Sequence, residues 1–320
     1  MKFYLAPMEG ITGHVYRNVY SRLYHNVDKY FTPFITPNQN QAMRTRERKD
    51  VSPEKNQGNH VVVQILTNQA SQFLSAWEQL KALGYKEVNL NLGCPSATVV
   101  TKKKGAGFLE DPEKLDRFFE EVFSKCDAKI SVKTRIGLDD VSEWEDLLTV
   151  YNRYPIEELI VHPRLRMDFY RNKPNWEAFS EAMSKSRAPV CYNGDIFCVE
   201  DYQRLISQFP DLDRVMLGRG VIANPLLIAE IKGEKVRDNE SLKCFHDKLL
   251  RAYEEEIQNP RDVLFKMKEV WFYMGEMFED AQKPLKRIKK AVKMADYEVA
   301  VAQLFSNYPV KEKGGFTFDA

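Results

Sequence analysis

The chain has 320 residues, 43% hydrophobic and 29% charged, enough for a barrel of ~200–250 residues plus a smaller second domain. Its net charge of +1 excludes a globally basic or acidic partner preference, so any nucleic-acid affinity must come from locally clustered basic residues. Five scattered cysteines (Cys94, Cys126, Cys191, Cys198 and Cys244), without CxxC spacing, argue against a disulfide framework and a metal site. The apolar part of the N-terminus is too short for a signal peptide, and no run of 18 apolar residues offers a membrane span. The expected location is cytoplasmic, with no membrane partner. Short apolar runs rich in β-formers fall at residues 3–6, 30–35, 61–66, 87–92, 129–133, 158–162, 189–193 and 214–217. Amphipathic stretches at 72–83, 112–125, 144–154 and 176–185 lie between them. Near-continuous apolar strands alternating with helices mean a parallel sheet. Eight such units in the first 235 residues predict an α/β chain with a (β/α)8 TIM barrel, in preference to an open doubly wound sheet. From residue 241 no strand follows. Leu249, Tyr253 and Ile257 mark one helix face, residues 265–278 a second helix rich in aromatics and Met, and Leu285, Ile288, Val292 and Ala295 a third. Residues 241–320 therefore read as a small all-α bundle, joined to the barrel domain (1–235) by a polar linker near Gly233–Glu240.

In a TIM barrel, reactive groups gather at the C-terminal ends of strands. Here those ends carry Pro7, Met8 and Glu9 after the first strand and Gln64 on the third. The fourth ends in Asn91-Leu92-Gly93-Cys94-Pro95, the fifth in Lys133-Thr134-Arg135 and the sixth in His162-Pro163-Arg164. Asn193-Gly194-Asp195 and Gly218-Arg219-Gly220 close the seventh and eighth. Glycines after the last two strands let backbone N–H groups approach an anion, and Arg219 can add a charge-assisted bond. Gly194 and Gly218 can each be a plain turn after a strand, but the two motifs together at these strands favour a phosphate site. Of the cysteines, Cys94 lies in a polar loop just past a strand, where a thiol can act as acid or nucleophile. Cys191 falls inside an apolar strand and Cys126 beyond a helix on the opposite side.

In this order, Ala6-Pro7-Met8-Glu9-Gly10, Gln64, the Asn-x-Gly-Cys-Pro motif at 91–95, Lys133-Thr134-Arg135, His162-Pro163-Arg164, Asn193-Gly194-Asp195 and Gly218-Arg219-Gly220 resemble the bacterial type of tRNA-dihydrouridine synthase. Gly105-Ala106-Gly107 and the helical C-terminal region extend the resemblance over essentially the whole chain. It implies an enzyme with tightly bound FMN, and NADPH as reductant, that reduces the C5–C6 bond of a D-loop uridine in tRNA. Cys94 would then be the catalytic proton donor to C5, with hydride passing from flavin N5 to C6. Pro7, Met8, Glu9, Gln64, Lys133 and His162 would hold the flavin and ribityl parts; Lys133 would favour the reduced anionic flavin. Asn193, Gly194, Asp195, Gly218 and Arg219 would hold the phosphate. Asn91, Arg135 and Arg166 would meet the substrate. The chain departs from the family pattern where Ser96-Ala97-Thr98 replaces a Cys-Pro-x-Lys sequence; Lys102, Lys103 and Lys104 follow and are expected on RNA phosphates.

Three basic clusters fit that partner. Lys283, Lys286, Arg287, Lys290 and Lys293 follow helical spacing opposite Leu285, Ile288 and Val292. Arg44, Arg46, Arg48 and Lys49 form the second cluster, Arg164, Arg166 and Arg171 the third. A flavin barrel acting on a free pyrimidine, similar to dihydroorotate dehydrogenases, is the alternative; the basic C-terminal helix favours tRNA. A monomer is expected.

Overall fold

Eight parallel strands close into a barrel in chain order in the computed structural model, which describes residues 1–37 and 43–316. In sequence the elements are β1 (Lys2–Leu5), α1 (His14–Tyr24), β2 (Lys29–Phe31), α2 (Thr45–Val51), β3 (Val61–Ile65), α3 (Ala70–Ala82), β4 (Glu87–Leu92) and α4 (Ala97–Val100). Then come α5 (Pro112–Lys125), β5 (Lys129–Arg135), α6 (Glu143–Tyr151), β6 (Leu159–His162), α7 (Trp176–Lys185), β7 (Val190–Tyr192), α8 (Val199–Gln208) and β8 (Arg214–Leu217). The helices α9 (Arg219–Ala223), α10 (Leu227–Ile231), α11 (Asn239–Glu256), α12 (Pro260–Met274), α13 (Gln282–Lys290) and α14 (Met294–Asn307) follow. No helix among the described residues is long and apolar enough to cross a membrane.

The expected second strand, 30–35, is shorter than predicted. Pro33 has no N–H to donate, and the ladder breaks there. The chain rejoins at Ile35, whose N–H reaches Gln64 O at 2.8 Å and whose carbonyl accepts from Leu66 N at 2.9 Å.

Strand parity decides what fills the barrel. Alternate residues face inward. At the N-terminal end the even strands contribute Lys29, Glu87 and Arg214, with Glu158 immediately before β6. Lys29 Nζ reaches Glu87 at 2.8 Å and Glu158 at 2.9 Å; Arg214 Nη1 reaches Glu158 at 2.5 Å. Two cations and two carboxylates thus form a buried layer. Above it the odd strands place Tyr4, whose hydroxyl donates to Glu158 Oε1 at 2.6 Å, together with Val62, Ser131 and Cys191. The apolar middle is Tyr4, Ala6, Phe31, Val62, Ile160, Cys191 and Met216, all buried.

The described chain divides into two compact units. The first, Met1–Pro7, Lys29–Gly194 and Phe209–Met216, holds the barrel and α2 to α7. The second, Met8–Asp28, Asp195–Gln208 and Leu217–Ala320, holds α1 and α8 to α14; the last four residues of the predicted 241–320 bundle lie outside the described residues. In this second unit Tyr16 of α1 meets Phe245 of α11 edge to face, centroids 5.6 Å apart. Leu249 and Tyr253 are buried, as their spacing predicts. The linker is clamped by a buried ion pair, Arg237 Nε to Glu230 at 3.0 Å.

Two helix predictions are corrected. The second C-terminal helix begins at Pro260, not near 265, because the Asn259 side chain accepts the Arg261 N–H at 3.1 Å and Pro260 takes the first turn, where no N–H is needed. The third does not run on to Ala295. It ends at Lys290; Ala291 turns extended, the Lys268 ammonium caps its carbonyl, and Lys293 becomes the N-cap of α14. Val292, predicted on the apolar face, is 76% exposed as a result.

Candidate active site

Parity places Asn89 and Asn91 of β4 inside the barrel beside Gln64 of β3. The Asn91 Nδ2 donates to Gln64 Oε1 at 2.7 Å, Gln64 Nε2 to Asn89 Oδ1 at 2.7 Å, and Asn89 Nδ2 to Ser131 Oγ at 3.0 Å. At the other end Asn91 Oδ1 accepts the N–H groups of Gly93 (3.1 Å) and Cys94 (3.0 Å). The side chain expected to meet the substrate therefore also splints the turn that carries Cys94. Arg135, the next inward residue after Lys133 on β5, holds the same turn from another side. Its Nε donates to Gly93 O at 2.9 Å, Nη1 to Leu165 O at 2.8 Å and Nη2 to Phe169 O at 2.9 Å. Burial pushes its pKa down to about 10.

Cys94 is half-buried, and its carbonyl accepts Ala106 N at 3.1 Å, so residues 105–107 fold back on it. Gly105 sits at φ +55°, and a Cβ there would lie 2.9 Å from Cys94 O and 3.0 Å from Cys94 Cβ. Gly105→Ala should therefore lower stability by about 1–3 kcal/mol, through left-handed strain and the collision together. Chemical denaturation measures this; an unchanged midpoint would show that the loop relaxes freely. Ser96 to Lys104 form the short α4 and a turn. Asn68 Nδ2 donates to the carbonyls of Lys102 (3.1 Å) and Lys103 (2.9 Å). Lys103 pairs with Glu110, and Lys104 is half-buried, its pKa lowered by desolvation and by Lys102. Lys102 is exposed, and neither it nor Lys104 has an ion pair among the described residues.

Lys133 points inward, half-buried, with no hydrogen bond or carboxylate partner among the described residues. Desolvation first and Arg135 second push its pKa down to about 8. His162, on the adjacent strand, is buried. Its Nδ1 lies 2.6 Å from Asn193 O, and a carbonyl can only accept, so Nδ1 carries the proton. Burial, Arg135, Lys133 and Arg164 hold its pKa well below the usual histidine range. The neutral ring leaves Nε2 as a buried acceptor with no partner among the described residues.

Asn193 Nδ2 donates to Met216 O at 2.8 Å. Gly194 must lack a side chain, since a Cβ would come 2.2 Å from the Tyr192 hydroxyl. In the second unit Asp195 accepts from Arg219 Nη2 at 2.6 Å, and that guanidinium lies 5.1 Å from the Phe197 ring centre. Asp195 thus orients the arginine expected at the phosphate. Gly218 precedes α9, its carbonyl accepting from Val221 and Ile222. Met8 N donates to Thr12 Oγ1 at 2.8 Å, while Pro7 is half-buried and Glu9 exposed beside α12 and α13.

The basic clusters fare unevenly. Arg44, Arg46, Arg48 and Lys49 are exposed on and beside α2. Arg164 is buried, with Nε donating to Asn172 O at 2.5 Å, so it does not face solvent as a member of the third cluster. Arg166 is partly buried, stacked 5.5 Å over Phe169, with no acceptor for its Nε among the described residues. Lys283, Lys286, Arg287 and Lys290 share α13; Arg287 reaches Gln303 at 2.7 Å. Cys191 and Cys198 are unsuited to thiol chemistry: burial pushes the first well up, and burial with nearby Glu200 and Asp201 pushes the second up to about 12. Sequence reading missed the Asn89–Ser131 link, for which the inward parity of Asn89 was the available signal.

Known proteins resemble this chain in sequence and in fold. A family model described as Dihydrouridine synthase (Dus) matches residues 4–307. A protein named tRNA-dihydrouridine(16) synthase from Pseudomonas putida is 28% identical over 287 residues, covering 86% of this chain and 88% of its own. One of the same name from Ralstonia nicotianae is 30% identical over 242 residues, 73% of each chain. Among solved structures, morphinone reductase in complex with tetrahydroNAD has a TM-score of 0.52 at 12% identity, covering 74% of this chain and 88% of that one, a likeness of fold alone. The match across nearly the full length shows that the chain belongs to the dihydrouridine synthase family.

Proposed function

We propose that this enzyme reduces the C5–C6 double bond of a D-loop uridine in tRNA, using FMN with NADPH as the electron source. The observation that carries the reading is the pair of inward polar groups on adjacent strands, Lys133 Nζ and His162 Nε2, which lack protein partners among the described residues. Buried polar groups left unmatched are costly, and such a pair fits a polar ligand with both acceptors and donors. The isoalloxazine edge and ribityl hydroxyls of FMN have that pattern. Lys133, Gln64 and His162 would hold these parts, and Pro7, Met8 and Glu9 are proposed to contribute to flavin binding; Asn193, Gly194, Asp195, Gly218 and Arg219 are proposed for the phosphate. Reduced FMN, when bound, supplies the hydride that uracil C6 receives. Cys94 gives its Sγ proton to C5 and regains one from solvent. Asn91 and Arg135 fix the turn from which Cys94 acts, and together with Arg166 they are proposed to meet the base. A base stacked in folded RNA must leave its stack to reach such a site. The helical region, 241–320, would carry tRNA-binding residues, including Lys283, Lys286, Arg287 and Lys290. Relatives named for tRNA along most of this chain's length favour tRNA over a free pyrimidine.

The deciding experiment is position-resolved mapping of dihydrouridine in tRNA treated with the FMN-loaded chain and NADPH, reading position 16 first, since the names of those relatives specify it. No new dihydrouridine at any position would sink the reading. A second expectation follows from Lys133. It is charged below about pH 8 in the unliganded chain and loses its proton above, so FMN affinity should fall as pH rises through 8. Flavin-fluorescence titrations at pH 7 and pH 9.5 test this; equal affinities would remove Lys133 from the flavin contact.

A further inference from the structure

Two surface clefts of the second unit flank α13. The first, of about 780 Å³, lies between α12 and α13. Its α12 wall is the stripe Phe265, Lys268 and Phe272, spaced three and four apart and so on one helix face. Phe265 is 62% and Phe272 60% exposed, an unusual outlay of aromatic surface on one face. Phe272 meets Tyr273 edge to face at 5.0 Å. The facing wall carries Lys286 and Lys289. The second cleft, about 700 Å³, lies on the other side of α13 and is lined by Lys283, Lys286, Arg287 and Lys290. Lys286 borders both. The helix holds five basic residues and no acid, and Lys283, Lys286, Lys289 and Lys290 have no ion-pair partner among the described residues.

We propose that the α12–α13 cleft seats an unpaired nucleobase of the RNA, stacked on Phe272, while the strand crosses the α13 ridge with its phosphates on Lys286 and its basic neighbours. The proposal rests on the tRNA reading and adds a contact to it. Aromatic rings facing lysines without an ion pair suit a base with its phosphates, because stacking is tolerant of base identity and the charge is met by the backbone. An apolar peptide would match the rings and leave the lysines unanswered. Glu9, Glu269 and Glu276 also line the cleft. Glu269 is engaged by Lys266 at 3.1 Å, and the carboxylates give this cleft a polarity that steers phosphates toward the α13 side.

The test measures binding of a tRNA transcript to the FMN-loaded full chain over a salt series. Phe272→Ala should weaken binding about tenfold (about 1.4 kcal/mol) at every salt concentration. Its slope of log K against log salt should match the native chain, and Phe272→Trp should restore affinity. Lys286→Glu with Lys289→Glu should instead flatten the slope by one to two. Phe272 is exposed, so circular dichroism should show the alanine variant folded. If the native chain binds and reduces tRNA and Phe272→Ala binds equally well, the cleft is not a base site although the functional reading stands. If Phe272→Ala leaves tRNA binding intact and turns a dimer into a monomer, the face belongs to a second copy and the proposal falls. A native chain that neither binds nor reduces tRNA fails the functional reading itself.

Discussion

Cys94→Ala should bind FMN and tRNA as the native chain does and lose reduction of uridine by about 10²–10⁴-fold, the range a positioned proton donor supplies. The half-buried thiol sits on a turn held from two directions, by the Asn91 carboxamide and by Arg135 on Gly93 O. A side chain shortened at Sγ leaves both restraints in place, because each grips backbone. The loss should therefore appear in the chemical step, not in binding. Single-turnover mixing of reduced enzyme with tRNA, followed by flavin absorbance, separates the two. Cys94→Ser should be nearly as slow, since a hydroxyl is a much weaker acid than a thiol. Native rates in both variants would assign the proton to solvent or to another group and leave Cys94 a packing residue.

Glu158→Ala should cost about 3–5 kcal/mol of stability, seen as a lower urea midpoint with little change in slope. Glu158 is buried, and its two oxygens take the Tyr4 hydroxyl, Arg214 Nη1 and Lys29 Nζ. Without it the layer keeps Lys29 and Arg214 with one buried carboxylate, Glu87. Arg214 retains Asp213 at 2.7 Å and Lys29 retains Glu87, which puts the expected loss toward the lower end. The Tyr4 phenol, held far above its ordinary pKa by burial and by Glu158, would lose its acceptor. Because this layer lies at the N-terminal end of the barrel, the variant should keep its flavin and its activity at low temperature. A variant as stable as the native chain would mean that water enters and replaces the carboxylate.

Much of the barrel was legible because its signal is local. Eight apolar runs with helices between them announce parallel strands; Pro33 cuts the second short, and the seventh spans only Val190–Tyr192. The C-terminal helices were less readable. Their ends depend on Asn259 capping and on the Lys268 ammonium reaching Ala291 O, and the second of these joins residues far apart in sequence. At the site, residue types were visible but not their partners. Lys133 and Arg135 look alike as strand-end cations. In the structure one has no hydrogen-bond partner among the described residues, while the other is committed to three carbonyls. Arg164 likewise reads as a surface cation until Asn172 O is found beside it. Charge is written in the sequence; what answers it is set by loop geometry.

The amide relay through Asn91, Gln64 and Asn89 has one further property. It ends on Ser131 Oγ, which donates to Val88 O at 3.3 Å, and begins at the Gly93 and Cys94 N–H groups. A backbone carbonyl can only accept and a backbone N–H can only donate, so both ends dictate the same reading direction. Carboxamides are ordinarily free to swap oxygen for nitrogen. Here a half-turn at Asn91 or Gln64 sets donor against donor and acceptor against acceptor, and a half-turn at Asn89 sets its Nδ2 against Gln64 Nε2. The relay acts as a keyed lock, with one setting that closes, and the turn bearing Cys94 inherits that single setting from the barrel wall.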